Sequence, residues 1–233
     1  GSIMLRKKSK RHFYIVTVIM VLLVIWTAWS NTTVGITHYT VASDKLPASF
    51  DHYSIVVVSD LHNAEFGENN SQLIKLIEKE KPDIIVVITG DLVDSNKTNI
   101  DIAQKLVGTL TGIAPCYYVT GNHEAWLGEQ YQELESILLD EGVAILHDRA
   151  VQLIKNTESI QLAGLDDPDF TDRAPLQQSM IKTKINNMNL TDNYCVLLSH
   201  RPEAFEDYVS ENIDLVLSGH AHGGQFRLPI IGG

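Results

Sequence analysis

An α/β fold on mixed sheets, preceded by one membrane-spanning helix, is what the sequence predicts, and three observations carry that expectation. Short apolar, β-branched runs alternate with stretches of helical spacing between residues 54 and 217, as expected for strands buried on both faces beneath helices. Midway, Lys155-Asn156-Thr157-Glu158 separates two strand-like runs the way a hairpin turn does, so some pairing must be antiparallel. Residues 13–29 form 17 positions without a charge, the lower limit for crossing a ~30 Å hydrocarbon core as a helix.

The apolar segment is preceded by Arg6, Lys7, Lys8, Lys10 and Arg11, a stretch of +5 with no acid. Such a flank predicts a cytoplasmic N-terminus, with everything beyond residue 30 across the membrane. Tyr14 near one end and Trp26 and Trp29 near the other suit the two interfaces. A cleaved signal peptide is the competing reading, but its core would be long and no small-x-small site stands out near 26–30, so a retained anchor is expected. A buried core helix is the third option, and the flanking charge speaks against it. Gly1-Ser2-Ile3 ahead of Met4 reads as an expression scar. The expected division is 1–12 scar and basic flank, 13–29 transmembrane anchor, 30–50 linker and domain entry, and 51–233 the main domain.

Within that domain, 54–59 (SIVVVS) reads as a first buried strand. Leu73, Ile74 and Ile77 recur at helical spacing over 70–81, and Pro82 stops the helix. A strand follows at 84–89, a helix at 100–110, a strand at 116–120, and a helix at 130–140 closed by Gly142. Residues 151–154 and 159–163 form the hairpin. Helix is expected at 176–185, strand at 194–199, a short helix at 204–209 and a last strand at 214–217. No internal repeat or low-complexity tract interrupts the pattern.

Charge narrows the function. The formal net charge is −11, which leaves −16 beyond the basic flank. So acidic a body repels a polyanion, and nucleic acid is not expected as a partner. The two cysteines, Cys116 and Cys195, sit in apolar runs and read as buried free thiols. The absence of a C-x-x-C motif removes thiolate–metal chemistry.

Polar clusters fall just after the apolar strands. Asp60-Leu61-His62 follows the first, Gly90-Asp91 with Asp94 the second, and Gly121-Asn122-His123-Glu124 the third. Ser199-His200 and Gly219-His220-Ala221-His222 follow later ones. Ligands of open α/β sheets bind where loops leave the carboxyl ends of strands. Singly, each cluster reads as well as a turn, for Asp, Asn and Gly are turn residues. Five in order, each at a strand exit, point to one shared site.

The order D-x-H, G-D-x-x-D, G-N-H-E, H, G-H-x-H resembles the signature of the calcineurin-like metallophosphoesterase superfamily, towards its membrane-anchored or secreted bacterial branch. The likeness covers about 36–233, and Gly164–Phe170 (GLDDPDF), Ser199–Glu203 (SHRPE) and His222–Gln225 (HGGQ) extend it. The resemblance implies a four-layer α-β-β-α sandwich of two mixed sheets. It also implies two divalent ions, Mn, Zn or Fe, one held by Asp60, His62, Asp91 and His222. Asp91, Asn122, His200 and His220 would hold the other, with Asp91 bridging as a carboxylate can. Two such ions ~3.5–4 Å apart turn a bridging water into a hydroxide nucleophile near neutral pH. His123 resembles the group that protonates the leaving oxygen or stabilises charge there, and Asp94 the carboxylate that orients its ring.

The implied activity is hydrolysis of a phosphoester, with a phosphodiester favoured. Lipid-linked or cell-envelope esters are suggested by location. A phosphomonoesterase or protein phosphatase of the same fold, and a non-catalytic scaffold tethered to the membrane, are the alternatives. His12, His38, His52 and His147 lie outside the motifs and read as solvated or capping residues. Asp166, Asp167 and Asp169 lack EF-hand spacing and read as a turn lining the cleft. Glu124, Trp126 and Phe66 read equally as cleft wall or core. The apolar end 228–233 reads as that of a truncated chain.

Overall fold

The computed structural model describes residues 2–32, 34–171 and 178–220, in two compact units, Gly1–His38 and Tyr39–Gly233. In the first unit, helix α1 (Ser2–Thr32) runs past both ends of the expected span; at the N-terminal end the flanking Lys and Arg are good helix formers. Its stretch Lys10–Thr27 is long and apolar enough to cross a membrane by length and composition, a test that a signal sequence also passes. The hydroxyls of Thr17 and Thr27 donate to Phe13 O and Leu23 O at 2.9 Å, so these two side chains are satisfied within the helix.

The second unit holds two four-stranded sheets. In the first, β1 (Ile55–Val58), β2 (Ile84–Thr89), β3 (Cys116–Val119) and β4 (Ala144–Ile145) pair in sequence order, parallel throughout. Right-handed crossovers between adjacent parallel strands put every connecting helix on one face. That layer is α2 (Ser71–Glu80), α3 (Ile100–Leu110) and α5 (Gln130–Asp140), which bury Leu73 and Ile77, Leu106 and Leu110, and Leu134 and Leu138. In the second sheet β5 (Arg149–Lys155) and β6 (Glu158–Gly164) form the expected hairpin, and β7 (Cys195–Ser199) and β8 (Leu215–Ser218) add in parallel. The mixed character is therefore carried by this sheet.

Period-two alternation in the second sheet shows how the layers stack. On one face Ile160, Leu162, Val196 and Leu198 meet Ile84 and Val119 of the first sheet, together with Phe50 and Leu146. On the other, Ala163, Cys195 and Leu197 meet Ile181 and Ile185 of α6 (Gln178–Asn187) and Tyr208 of α7 (Phe205–Ser210). The result is the expected α-β-β-α sandwich. Burial pushes the Cys116 thiol up to about 12 and the Cys195 thiol to about 11, and both are free.

Most expected elements shift by one or two residues at an end. The first turn of the helix expected at 176–185 lies outside the described residues. Among the described residues, one strand and one α-helix were not anticipated: β4, of two residues, and α4 (Asn122–Trp126), of five.

Candidate metal centre

The loops leaving β1, β2 and β8 bend sharply. Asp60, His62, Asn63, Asp91 and His220 all have positive φ, between 47° and 67°. Asp, Asn and His enter that region more readily than other L residues, and such strained backbone gathers at functional sites. Gly90, at φ 93°, cannot be replaced cheaply: a Cβ there would run into the His200 ring and the Gly121 backbone. The strand ends thus pack close enough for their side chains to share one space.

Ligand atoms of Asp91, His200 and His220 lie within 4.8 Å of one another, as do those of His62, Asp91 and His123. Asp91 belongs to both groups and is buried. Its Oδ2 lies 3.3 Å from His200 Nε2 and 3.6 Å from His62 Nε2, while Oδ1 accepts the His123 backbone N–H at 2.9 Å. His200 Nε2 also lies 2.9 Å from Asn122 Oδ1 and 2.9 Å from His220 Nδ1. Asp60 stands beside this cluster, its carboxylate taking the His220 backbone N–H at 2.9 and 3.0 Å and the Ser59 hydroxyl at 2.5 Å. His222 lies outside the described residues.

The donor set fits a cation. His200 Nδ1 faces the Thr89 carbonyl at 2.5 Å, and a carbonyl can only accept, so Nδ1 carries a proton. In the neutral ring Nε2 is then a lone pair, pointed at the Asn122 amide oxygen and the Asp91 carboxylate oxygen, with His220 Nδ1 beside them. Such a gathering of acceptors is stable around a positive charge and repulsive without one. Burial pushes the His200 imidazole down, but the bond to Asp91 and its charge outweigh burial and leave it raised. His220 is lowered, first by burial and then by the His200 charge. Burial would raise the Asp91 carboxyl, yet the His200 bond and charge and the His123 N–H hold it below the ordinary range. A metal ion would displace the shared proton.

His123 has Asp94 beside it as an ion-pair neighbour, and its closest contact is with Ser95. Ser95 N–H donates to Nδ1 at 3.1 Å, with the Ser95 hydroxyl at 3.2 Å. Asp94 Oδ1 is 3.7 Å from the same nitrogen and instead accepts the Asn96 N–H at 2.8 Å. Asp94 is held low by that Asn96 bond and by the charges of His123 and His62. The His123 ring neighbours His62 at 4.5 Å, edge-on, and Trp126 at 4.9 Å, tilted, between centroids.

Two supports were not legible in the motifs. Glu124, fully buried, takes the N–H groups of Gly121, Asp91 and Leu92 at 2.7, 2.8 and 2.7 Å, with Val93 at 3.4 Å. It locks the β2 loop to the β3 loop through their backbones. Burial, then the Asp91 charge, push its carboxyl up to about 7, against the pull of those donors. A Glu at the third position of a helix, reaching back to the capping residue, is the signal that could have found it. The second support is Asp167, which grips Arg201 from Nε at 2.6 Å and Nη2 at 2.9 Å. That fork fixes the backbone next to His200.

Residues 53–224 match the pattern of the calcineurin-like phosphoesterase family. The chain is 33% identical over 196 residues to an uncharacterized metallophosphoesterase of Aquifex aeolicus, covering 80% of this chain and 69% of that one. It is 31% identical to a transmembrane protein with metallophosphoesterase domain of Danio rerio, covering 81% of this chain and 44% of that protein. It is 27% identical over 183 residues to the Escherichia coli phosphodiesterase YaeI, covering 77% and 64%.

Proposed function

This chain belongs to the calcineurin-like phosphoesterase family, and from that premise we propose that it hydrolyses a phosphodiester at a pair of divalent ions. The proposed ligands are Asp60, His62, Asp91 and His222 for one ion and Asp91, Asn122, His200 and His220 for the other. Their oxygen and imidazole donors, without thiolate, suit Mn, Zn or Fe. When bound, such a pair lowers the pKa of a water molecule and neutralises charge on the phosphate oxygens. The observation that carries the reading is the convergence of Asn122 Oδ1, His220 Nδ1 and Asp91 Oδ2 on His200 Nε2, an arrangement that asks for a cation.

The chain's own groups do the rest. Glu124 and the Asp167–Arg201 fork hold the loops in register, so the donors are preorganised. His123, at the edge of the cluster, presents its free ring nitrogen to the leaving oxygen. A diester is favoured over a monoester by the likeness to YaeI, whose name is that of a phosphodiesterase.

In this reading α1 is a retained anchor, with the basic flank in the cytoplasm and the second unit on the far side. The charge asymmetry of the flank supports that orientation, and the Danio rerio relative is named as a transmembrane protein. The location favours lipid-linked or cell-envelope esters. The chain covers 69% and 44% of its first two relatives.

The test is hydrolysis of bis-p-nitrophenyl phosphate against p-nitrophenyl phosphate, by protein stripped with chelator and reloaded with Mn²⁺. Diester turnover restored by the metal, and exceeding monoester turnover, is expected. Equal or greater monoester turnover sinks the diester assignment, and stripped protein that binds no metal sinks the centre itself. Protease accessibility of the second unit in intact cells tests the orientation.

A further inference from the structure

We infer that Trp126 forms an aromatic shelf beside His123 that selects esters whose leaving alcohol is aromatic. The inference rests on the phosphoesterase reading, because it needs His123 at the leaving oxygen. Trp126 follows His123 by three positions on α4, and residues so spaced lie on one helix face. Their ring centroids are 4.9 Å apart at 42°.

Core packing does not hold this indole, which is 44% exposed although Asn122 and Glu124 on the same short helix are buried. A hydrogen bond holds it, from Nε1 to Asp169 Oδ2 at 2.9 Å. Asp169 is fixed in turn: its N–H donates to Asp167 Oδ1 at 3.0 Å, and its Oδ1 lies 3.4 Å from Arg201 Nη2. A large apolar surface left open to water and locked in one orientation loses little entropy when a flat partner covers it.

Position and charge decide which part of the substrate lies there. A leaving oxygen at His123 sends its substituent past a neighbouring ring, and the two that neighbour His123 are the proposed ligand His62 and the exposed Trp126. Asp94 and Asp169 flank the path, and they repel any leaving group that carries further phosphate. Phe170, next to Asp169, is 37% exposed and rests edge-on against Tyr131 at 4.8 Å, so the aromatic surface continues outward. The class that fits is an uncharged, flat leaving alcohol.

Two measurements test this. In the first, methyl phenyl phosphate and methyl hexafluoroisopropyl phosphate, whose leaving alcohols are similar in acidity but differ in shape, are compared in the metal-loaded protein. Trp126→Leu is expected to lower kcat/KM about tenfold for the phenyl ester and less than twofold for the fluoroalkyl ester, the size of one lost ring contact with its buried area. Trp126→Phe is expected to retain most of the phenyl preference. Equal losses for both esters would mean that the indole only props His123, and would overturn the shelf while leaving the phosphoesterase reading intact. In the second, the Zn²⁺-loaded protein is titrated with phenylphosphonate and with methylphosphonate. The tryptophan emission is expected to change with the phenyl compound alone, and the change to vanish in Trp126→Leu. No Trp126-dependent change overturns the shelf, whatever the turnover shows. Failure to hydrolyse any ester, with that change present, counts instead against the catalytic reading.

Discussion

The backbone N–H of Ser95 points at Nδ1 of His123 from 3.1 Å, and this contact dictates which ring nitrogen can carry a proton. A donor facing Nδ1 requires a lone pair there, so a neutral His123 has its hydrogen on Nε2. The ring then offers a hydrogen-bond donor to its surroundings, and the Asp94 carboxylate at 3.7 Å acts through charge rather than contact. In a long-range ¹H–¹⁵N spectrum the neutral His123 ring should show the Nε2–H tautomer. It should keep that tautomer in Asp94→Asn. A proton on Nδ1 in the wild-type spectrum would reinstate the carboxylate as the orienting group.

Removing the ring asks a different question. His123→Ala should lower kcat at least tenfold, since one positioned proton or charge donor is typically worth 10²–10⁴-fold, with metal content unchanged. Because a nitrogen of His123 lies within 4.8 Å of ligand atoms on His62 and Asp91, the control is informative. Loss of metal together with activity would reassign His123 as a ligand.

Asp91 is the one residue common to both groups of candidate ligands. In the proposed centre, Asp91→Asn replaces the bridging carboxylate by an amide with a single acceptor oxygen. Metal analysis should find both ions lost together, and one ion retained at full occupancy would mean that Asp91 serves a single position.

Glu124 is where folding and the centre are joined. Glu124→Ala leaves the N–H groups of Gly121, Asp91 and Leu92 buried without acceptors, which costs about 3–5 kcal/mol. The urea midpoint of chelator-treated protein, in which metal cannot confound the comparison, should fall accordingly. Glu124→Gln should not rescue it fully, because the new amide N–H₂ faces donors. An unchanged midpoint would mean that water satisfies the loops.

The contrast between these residues shows what a sequence conveys about such a site. Asp91, His200 and His220 stand directly after apolar strands, so the rule that loops at strand ends converge was enough to group them. Glu124 sits in the same motif, and only its reach back to Gly121 follows a capping pattern; its other partners are main-chain donors on the β2 loop, which leave no mark in the sequence. The Ser95 contact was hidden for the same reason. Among the elements, β4 has two residues and α4 five, too few for either periodicity to register. Strand order was also silent: nothing in 54–59 or 84–89 says which neighbour each will pair with, so the wholly parallel first sheet appears only once the strands are placed.

His147 carries the remaining prediction, and it concerns stability rather than turnover. Its Nδ1 lies 2.8 Å from Asp166 Oδ2 and its Nε2 2.6 Å from Glu135 Oε1. Both partners accept only, so the ring satisfies both as imidazolium alone. The Asp166 bond, against the opposing effect of burial, raises its pKa, and Asp166 charge and Glu135 add to the rise. Asp148 stands nearby but is paired with Lys184 at 2.9 Å. A histidine whose folded pKa exceeds the unfolded value near 6.5 contributes stability fully below that value and loses it as pH rises through the folded one. The contact ties α5, through Glu135, to the loop after β6, through Asp166. Asp166 also accepts from Thr120 at 2.9 Å, just ahead of Gly121. The urea midpoint of wild type relative to His147→Gln should therefore be highest near pH 6 and decline towards pH 8–9. Taking the difference between the two proteins removes the contributions of the buried thiols, which are common to both. A difference that stays flat across that range would show that His147 is not charged in the folded chain.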